Sequence, residues 1–248
     1  MNKQLKVEER LIVAADFVPE NINTDPSSWI FKKVGDLAWA LRHTRVCIKV
    51  GSALRVRGYC LLWEIAQHGI GCFADLKLCD IPNTLATDGA LLRYYKPKML
   101  TVMASSGIEA LRALKANLPE TEVLGVTALT SLKERDAELI FHRPITEAVL
   151  DLARIVSDTP LDGLISSGKE LGPLIEEGFG AVLTLNALAV RPEWSIVLGD
   201  DQNPDRVMTP AKAIKAGADR IIMGRPITLA KDPYEAVMRT LDEIAKAL

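Results

Sequence analysis

Eight short apolar runs punctuate this chain, and each is followed by a stretch with helical spacing. The runs are Leu11–Ala15, Val46–Val50, Cys72–Leu76, Met99–Met103, Val123–Ala128, Gly163–Ile165, Ala181–Leu185 and Arg220–Met223. The helical stretches are Trp29–Arg42, Leu61–His68, Thr84–Tyr95, Ile108–Asn117, Ile145–Val156, Lys169–Glu176, Pro210–Ala216 and Pro233–Ala247. At the end of the chain Ala236, Val237, Leu241, Ile244 and Leu248 recur at threes and fours, one apolar stripe. Most of the short runs are continuous rather than alternating. That pattern belongs to parallel strands whose faces are both covered. Eight strand–helix pairs in 248 residues predict an α/β chain that closes as a (β/α)8 barrel, with residues 1–248 as a single domain. An open doubly wound sheet is the competing architecture. It would usually carry a glycine-rich first turn, and none follows Asp16.

Charge and composition remove other classes. Lys and Arg number 30 against 32 Asp and Glu, a net charge of −2, so no large positive field exists to meet a nucleic-acid backbone. No apolar stretch approaches the roughly 18 residues that a membrane span needs. The segment Met1–Glu9 is polar and lacks the apolar core of a signal peptide, so a cytoplasmic location is expected. Cys47, Cys60, Cys72 and Cys79 form no CxxC pair and are expected as buried free thiols. His43, His68 and His142 stand at no metal-ligand spacing. No metal site and no cofactor are expected, and the chemistry falls to carboxylates and amines.

An active site in such a barrel lies at the C-terminal ends of the strands. Asp16 ends the first, Lys49 stands near the end of the second, and Asp75 and Lys77 close the third, with Asp80 just beyond. Strand residues two apart point to the same face, so Asp75 and Lys77 are expected side by side, with Leu76 and Leu78 turned towards the helices. Burying both charges is costly unless they pair. With Lys49 and Asp80 the signs alternate, Lys, Asp, Lys, Asp, and every group can stay ionised at neutral pH. A second feature follows the last strand. Gly224-Arg225-Pro226 combines a glycine, a cation and a proline suited to a first helical turn, a combination fit for a phosphate. Gln202, in the long irregular stretch before it, adds an amide donor. The residues by themselves therefore indicate a phosphorylated small molecule and a Lys/Asp proton-transfer centre, and they leave the reaction open.

The run Asp75-Leu-Lys77-Leu-Cys-Asp80-Ile81-Pro82-Asn83-Thr84 resembles the orotidine 5'-monophosphate decarboxylase family. Further matches stand in order along nearly the whole chain: Ala15-Asp16, Lys49-Val-Gly51, Val126-Thr-Ala-Leu-Thr130-Ser131, Val190-Arg191-Pro192, Asp201-Gln202, Arg206-Val-Met-Thr-Pro210 and Gly224-Arg225-Pro-Ile-Thr. The resemblance implies a TIM-barrel homodimer that decarboxylates orotidine monophosphate to uridine monophosphate in pyrimidine biosynthesis, without metal or cofactor. It implies Lys49, Asp75, Lys77 and Asp80 as the catalytic set, with Lys77 protonating C6. It places Asp80 in the partner subunit's site, with Ile81 and Thr84 near it. Asp16 would bind ribose, Thr130 would touch the pyrimidine, and Arg191, Gln202, Gly224 and Arg225 would hold the phosphate.

The chain departs from the family pattern in three places. Leu188-Ala189 stand where Pro-Gly is usual, Asn203-Pro204-Asp205 intervene before Arg206, and Met103 replaces a frequent histidine. The first two bear on the loop over the phosphate; the Lys/Asp set is intact. Magnesium-dependent sugar-phosphate decarboxylases and aldolases of the same superfamily share Asp-x-Lys-x-x-Asp but generally have small residues where Ile-Pro-Asn-Thr stands here. A non-catalytic nucleotide-binding barrel is the remaining alternative.

Overall fold

A computed structural model describes residues 5–19, 25–195 and 208–248. Eight strands form the frame: β1 (Leu11–Ala14), β2 (Cys47–Val50), β3 (Gly71–Leu78), β4 (Met99–Met103), β5 (Glu122–Val126), β6 (Gly163–Ser167), β7 (Thr184–Leu188) and β8 (Arg220–Met223). Every neighbouring pair is parallel, and β8 pairs back on β1 through Leu11 with Ile221 and Val13 with Met223, closing the barrel. The helices are α1 (Pro26–Leu41), α2 (Ser52–Arg57), α3 (Cys60–Ala66), α4 (Pro82–Tyr95), α5 (Ile108–Ala116), α6 (Glu134–Phe141), α7 (Ile145–Ser157), α8 (Leu171–Glu176), α9 (Pro210–Lys215), α10 (Arg225–Thr228) and α11 (Pro233–Ala245). The expected (β/α)8 barrel is therefore the fold.

Strand alternation sorts the core into two layers. Ile12, Cys47, Phe73, Met99, Leu124, Ile165 and Ile222 pack inside the barrel. Their sequence neighbours, such as Leu11, Ile48, Cys72, Leu100, Val123, Leu164 and Ile221, pack outward against the helices. Both faces are apolar, which is why the runs read as continuous. Leu76 and Leu78 pack on the outer layer, on the side expected of them.

The floor of the barrel is polar. Arg220, 1% exposed at the start of β8, meets the Glu122 carboxylate of β5 at 2.9 Å. Its second amino group lies 3.4 Å from Asn186 Oδ1 on β7. A guanidinium this deep is tolerable only because its charge and its planar donors are met.

Several expectations move. The seventh strand begins at Thr184, not Ala181. Gly178, at a φ of 83°, turns the chain, Phe179–Ala181 form one 3-10 turn, and Val182 lies exposed. The apolar run there is partly a turn anchored by Phe179. The third strand extends through Leu78. Helices α2, α6 and α10 have no counterpart among the expected stretches, because α2 has six residues, α10 has four and α6 buries only Ala137. All four cysteines are free, but only Cys47 and Cys72 are buried; Cys60 opens α3 and Cys79 follows β3, and both are exposed. Burial pushes the Cys72 thiol up to about 12 and leaves it inert.

Removing one partner of the floor pair strands a buried charge. Glu122→Ala is expected to cost about 3–5 kcal/mol in urea unfolding. A loss below about 1 kcal/mol, the scale of an exposed pair, would show that the floor is solvated.

Candidate active site

Four strands deliver charge and hydroxyl to one point at the barrel mouth. Lys49 of β2 donates to Asp75 Oδ2 of β3 at 2.8 Å and to Asp16 Oδ2, just past β1, at 3.0 Å. Lys77 Nζ donates to the other oxygen, Asp75 Oδ1, at 2.7 Å. Thr101 of β4 donates its hydroxyl to that same oxygen at 2.9 Å and accepts the Lys77 backbone N–H at 2.9 Å. Asp75 thus sits between two ammonium groups. Side-chain exposure rises outward, from 7% for Lys49 and 10% for Asp75 to 35% for Lys77 and 57% for Asp16. Lys77 is the more exposed of the two cations in this group.

Regular alternation is not what brings Lys77 to Asp75. Between β3 and β4 the register runs from Ala74 opposite Leu100 to Leu78 opposite Val102, so three residues of β3 face Thr101 alone. Lys77 takes a left-handed backbone, φ 49°, within this irregularity. A bulge of this kind re-aims a side chain.

Burial alone would push the Asp75 carboxyl up. Lys49, Lys77 and their hydrogen bonds override it and hold the group at about 2. Burial alone would likewise lower Lys49, and the charges of Asp75 and Asp16 more than reverse it, so Lys49 is raised above its ordinary 10.5. Both groups are charged at neutral pH.

A cleft of about 400 Å³ opens beside this cluster. Asp16 and Lys49 line one side; Leu188, Ala189, Val190, Arg191, Gly224 and Arg225 line the other. Arg191 is buried, and its N–H donates to the Met208 carbonyl at 2.8 Å. Gly224 caps α10, which places Arg225 in its first turn. Both departures on β7 fall here: Leu188 packs on the interior layer, and Ala189 takes a left-handed φ of 59°. Met103 packs on the same layer at the end of β4. A smaller cleft of about 130 Å³ lies at the opposite end of the barrel, between residues 93–98 and 118–121, away from the charged cluster.

Not every expected residue joins. Within one chain the alternating series is Asp16, Lys49, Asp75, Lys77; Asp80 is not part of it. Its carboxylate accepts from the Ile81 N–H at 2.7 Å on the exposed loop before α4. Ile81 is 65% exposed, and Thr84 is half-buried in the first turn of α4. Thr130 is half-buried on the loop before α6. Gln202 and the Asn203-Pro204-Asp205 segment lie outside the described residues. Thr101 is not among the expected residues, although the sequence carries a signal for it. It is the hydroxyl of an otherwise apolar strand, two residues from the inward-facing Met99 and Met103. Asp16, implied as a ribose ligand, also holds Lys49. Among the described residues no group of three or more His, Cys, Asp or Glu is placed to hold a metal ion, and no helix is long and apolar enough to cross a membrane.

Comparison with known proteins adds the family. Residues 9–240 match the model of the orotidine 5'-phosphate decarboxylase / HUMPS family. The orotidine 5'-phosphate decarboxylase of Heliobacterium modesticaldum is 33% identical over 98% of this chain and 99% of its own length. That of Erythrobacter litoralis is 39% identical over 70% of this chain and 75% of its own. The crystal structure of the Lactobacillus acidophilus orotidine 5'-phosphate decarboxylase superposes with a TM-score of 0.75 at 29% identity, covering 95% of this chain and 99% of that one.

The depressed Asp75 carboxyl gives acid stability a definite window. Its contribution is complete above the ordinary carboxylate value and is lost as pH falls from about 4 through about 2. It is worth about 2 kcal/mol by linkage. Denaturant unfolding across that range should show the wild type losing this amount and Asp75→Asn losing none of it. Parallel curves for the two proteins would contradict the assignment.

Proposed function

Because this chain belongs to the orotidine 5'-phosphate decarboxylase / HUMPS family, we propose that it decarboxylates orotidine 5'-monophosphate to uridine 5'-monophosphate and carbon dioxide, without metal or cofactor. The observation that carries the reading is the Lys77 ammonium, open to the mouth and held by Asp75 at 2.7 Å. Loss of carbon dioxide leaves an electron pair at C6 of the pyrimidine. An ammonium fixed beside that carbon stabilises the charge as it develops and then donates its proton to C6. The neutral amine regains a proton from solvent, for which its partial exposure suffices. Asp75 holds Lys77 in place and opposes early loss of its proton. Lys49, tied to both Asp75 and Asp16, fixes the carboxylate from behind.

The far end of the cleft suits the phosphate. Arg191 and Arg225 both line it, and guanidinium groups match phosphate geometry. Gly224 and Gln202 belong to this end of the proposal. Asp16 takes the ribose beside Lys49, and Thr130 the pyrimidine. Phosphate binding remote from C6 contributes by positioning the ring on Lys77.

The proposal includes a homodimer. Asp80 lies clear of its own chain's cluster, on a loop with exposed Ile81, so a second copy is the source from which Asp80, with Ile81 and Thr84, completes the catalytic set. The working unit is then two barrels, each a single domain of residues 1–248. The proposal includes a cytoplasmic location, which fits a role in pyrimidine biosynthesis.

Loss of orotate absorbance, followed with and without EDTA, tests the reaction. Turnover indifferent to EDTA is expected; turnover abolished by it would move the chain to the magnesium-dependent relatives. Lys77→Ala should lower kcat by about 10²- to 10⁴-fold with the fold intact, and wild-type rates would refute the proton donor. Arg225→Ala should raise KM about 10- to 100-fold, the worth of a charge-assisted hydrogen bond, with a smaller change in kcat. An unchanged KM would remove Arg225 from the phosphate site.

A further inference from the structure

We propose that Thr101 is a positioning residue for the decarboxylation, setting where the Lys77 ammonium sits; this rests on the reading of Lys77 as the proton donor. The argument begins with the irregular pairing of β3 and β4. Four steps along β3, from Ala74 to Leu78, are matched by two along β4, from Leu100 to Val102. Thr101 is the β4 residue left to face the surplus. A bulge re-aims Lys77 but removes the regular ladder bonds that would hold it in place.

The Thr101 hydroxyl supplies what the ladder does not. It accepts the Lys77 N–H at 2.9 Å, holding the backbone at its left-handed φ of 49°. It donates its own hydrogen to Asp75 Oδ1 at 2.9 Å, the oxygen that receives the Lys77 ammonium. One atom is therefore bonded to the root of the Lys77 side chain and to the anchor of its tip. Two fixed ends leave the four-carbon stem little freedom. Thr101 is 1% exposed, so water does not compete for either bond. A hydroxyl is required at this point because it alone among small side-chain groups accepts and donates at one atom. Thr101 itself reaches no substrate; it acts through Lys77 and Asp75.

The test compares Thr101→Val, which keeps the shape and removes the hydroxyl, with Thr101→Ser, which keeps the hydroxyl. Thr101→Ala stands in if the valine variant does not fold. Steady-state kinetics with orotidine monophosphate and mass-spectrometric labelling of Lys77 by an amine reagent are read together, with deeply buried Lys49 as the internal control. Thr101→Val is expected to lose about 10- to 100-fold in kcat, the scale of a small misplacement of a reacting group, with little change in KM. Its Lys77 should label several-fold faster, and Thr101→Ser should recover most of both. Wild-type kcat and labelling in Thr101→Val would overturn the proposal. So would a serine variant as slow as the valine one, because packing of the methyl would then be the cause. If the wild-type chain does not turn over orotidine monophosphate at all, the functional reading fails, and with it the role in decarboxylation. The labelling then still decides whether Thr101 holds Lys77.

Discussion

A single carboxylate held between two ammonium groups is the constraint from which the mouth of this barrel follows. Asp75 is nearly buried, and burial opposes its charge. It stays ionised because Lys49 and Lys77 each donate to a different oxygen. Neither lysine is independent of it. Lys49, more deeply buried still, keeps its proton only because Asp75 and Asp16 face it. Removing any member would leave a charge in a place that tolerates charge only in alternation. The cluster is therefore specified as a unit, and the backbone around it bends to suit.

That bending is where closed-barrel geometry and chemistry meet. A regular β3 would carry its side chains inward at every second residue and stop. The bulge opposite Thr101 lets Asp75 and Lys77 reach one point from adjacent turns of the pleat, while Leu76 and Leu78 still pack on the helices. The cost is a non-glycine residue in the left-handed region, roughly 1–3 kcal/mol. The apolar layers around the mouth offset it. Ile12, Phe73, Met99 and Leu124 fill the interior directly beneath, and a well-packed interior resists the relaxation that would release the strain.

The barrel was legible because its signal is redundant. Eight apolar runs separated by helical spacing leave few other closures, and misplacing one boundary does not alter the count. The seventh strand shows the limit. Ala181 and Val182 look like strand residues, yet a left-handed Gly178 and buried Phe179 make them a turn. Helix α6 was invisible because its Leu139 and Ile140 face solvent, so no buried stripe marked it. In the site, charge was legible and partnership was not. Lys49, Asp75 and Lys77 stand out in apolar runs because a charge there demands an explanation. Thr101 demands none by composition and is revealed only by its parity with Met99 and Met103. Asp80 belonged to the motif, but sequence adjacency carries no information about which side of a loop its carboxylate faces.

The two ends of the cylinder divide the work of the fold. At the floor, Arg220 with Glu122 and Asn186, and Lys115 with Asp162, join strands and helices through satisfied partners at the end opposite the cleft. At the mouth, Lys77 near the end of β3 and Ala189 just past β7 both take left-handed backbone, and Ala189 lines the cleft. Strain at the mouth is offset by cohesion elsewhere, and a barrel provides it by sharing every strand between both ends. The departure at Leu188-Ala189 fits that division. An alanine in place of glycine raises the strain at φ 59°, while Leu188 adds apolar contact to the interior layer just below. Ala189 holds the wall of the cleft beside Arg191 in a backbone shape that glycine adopts more easily. The shape of the mouth is thus imposed by the packed strands beneath it, and the loop residues comply.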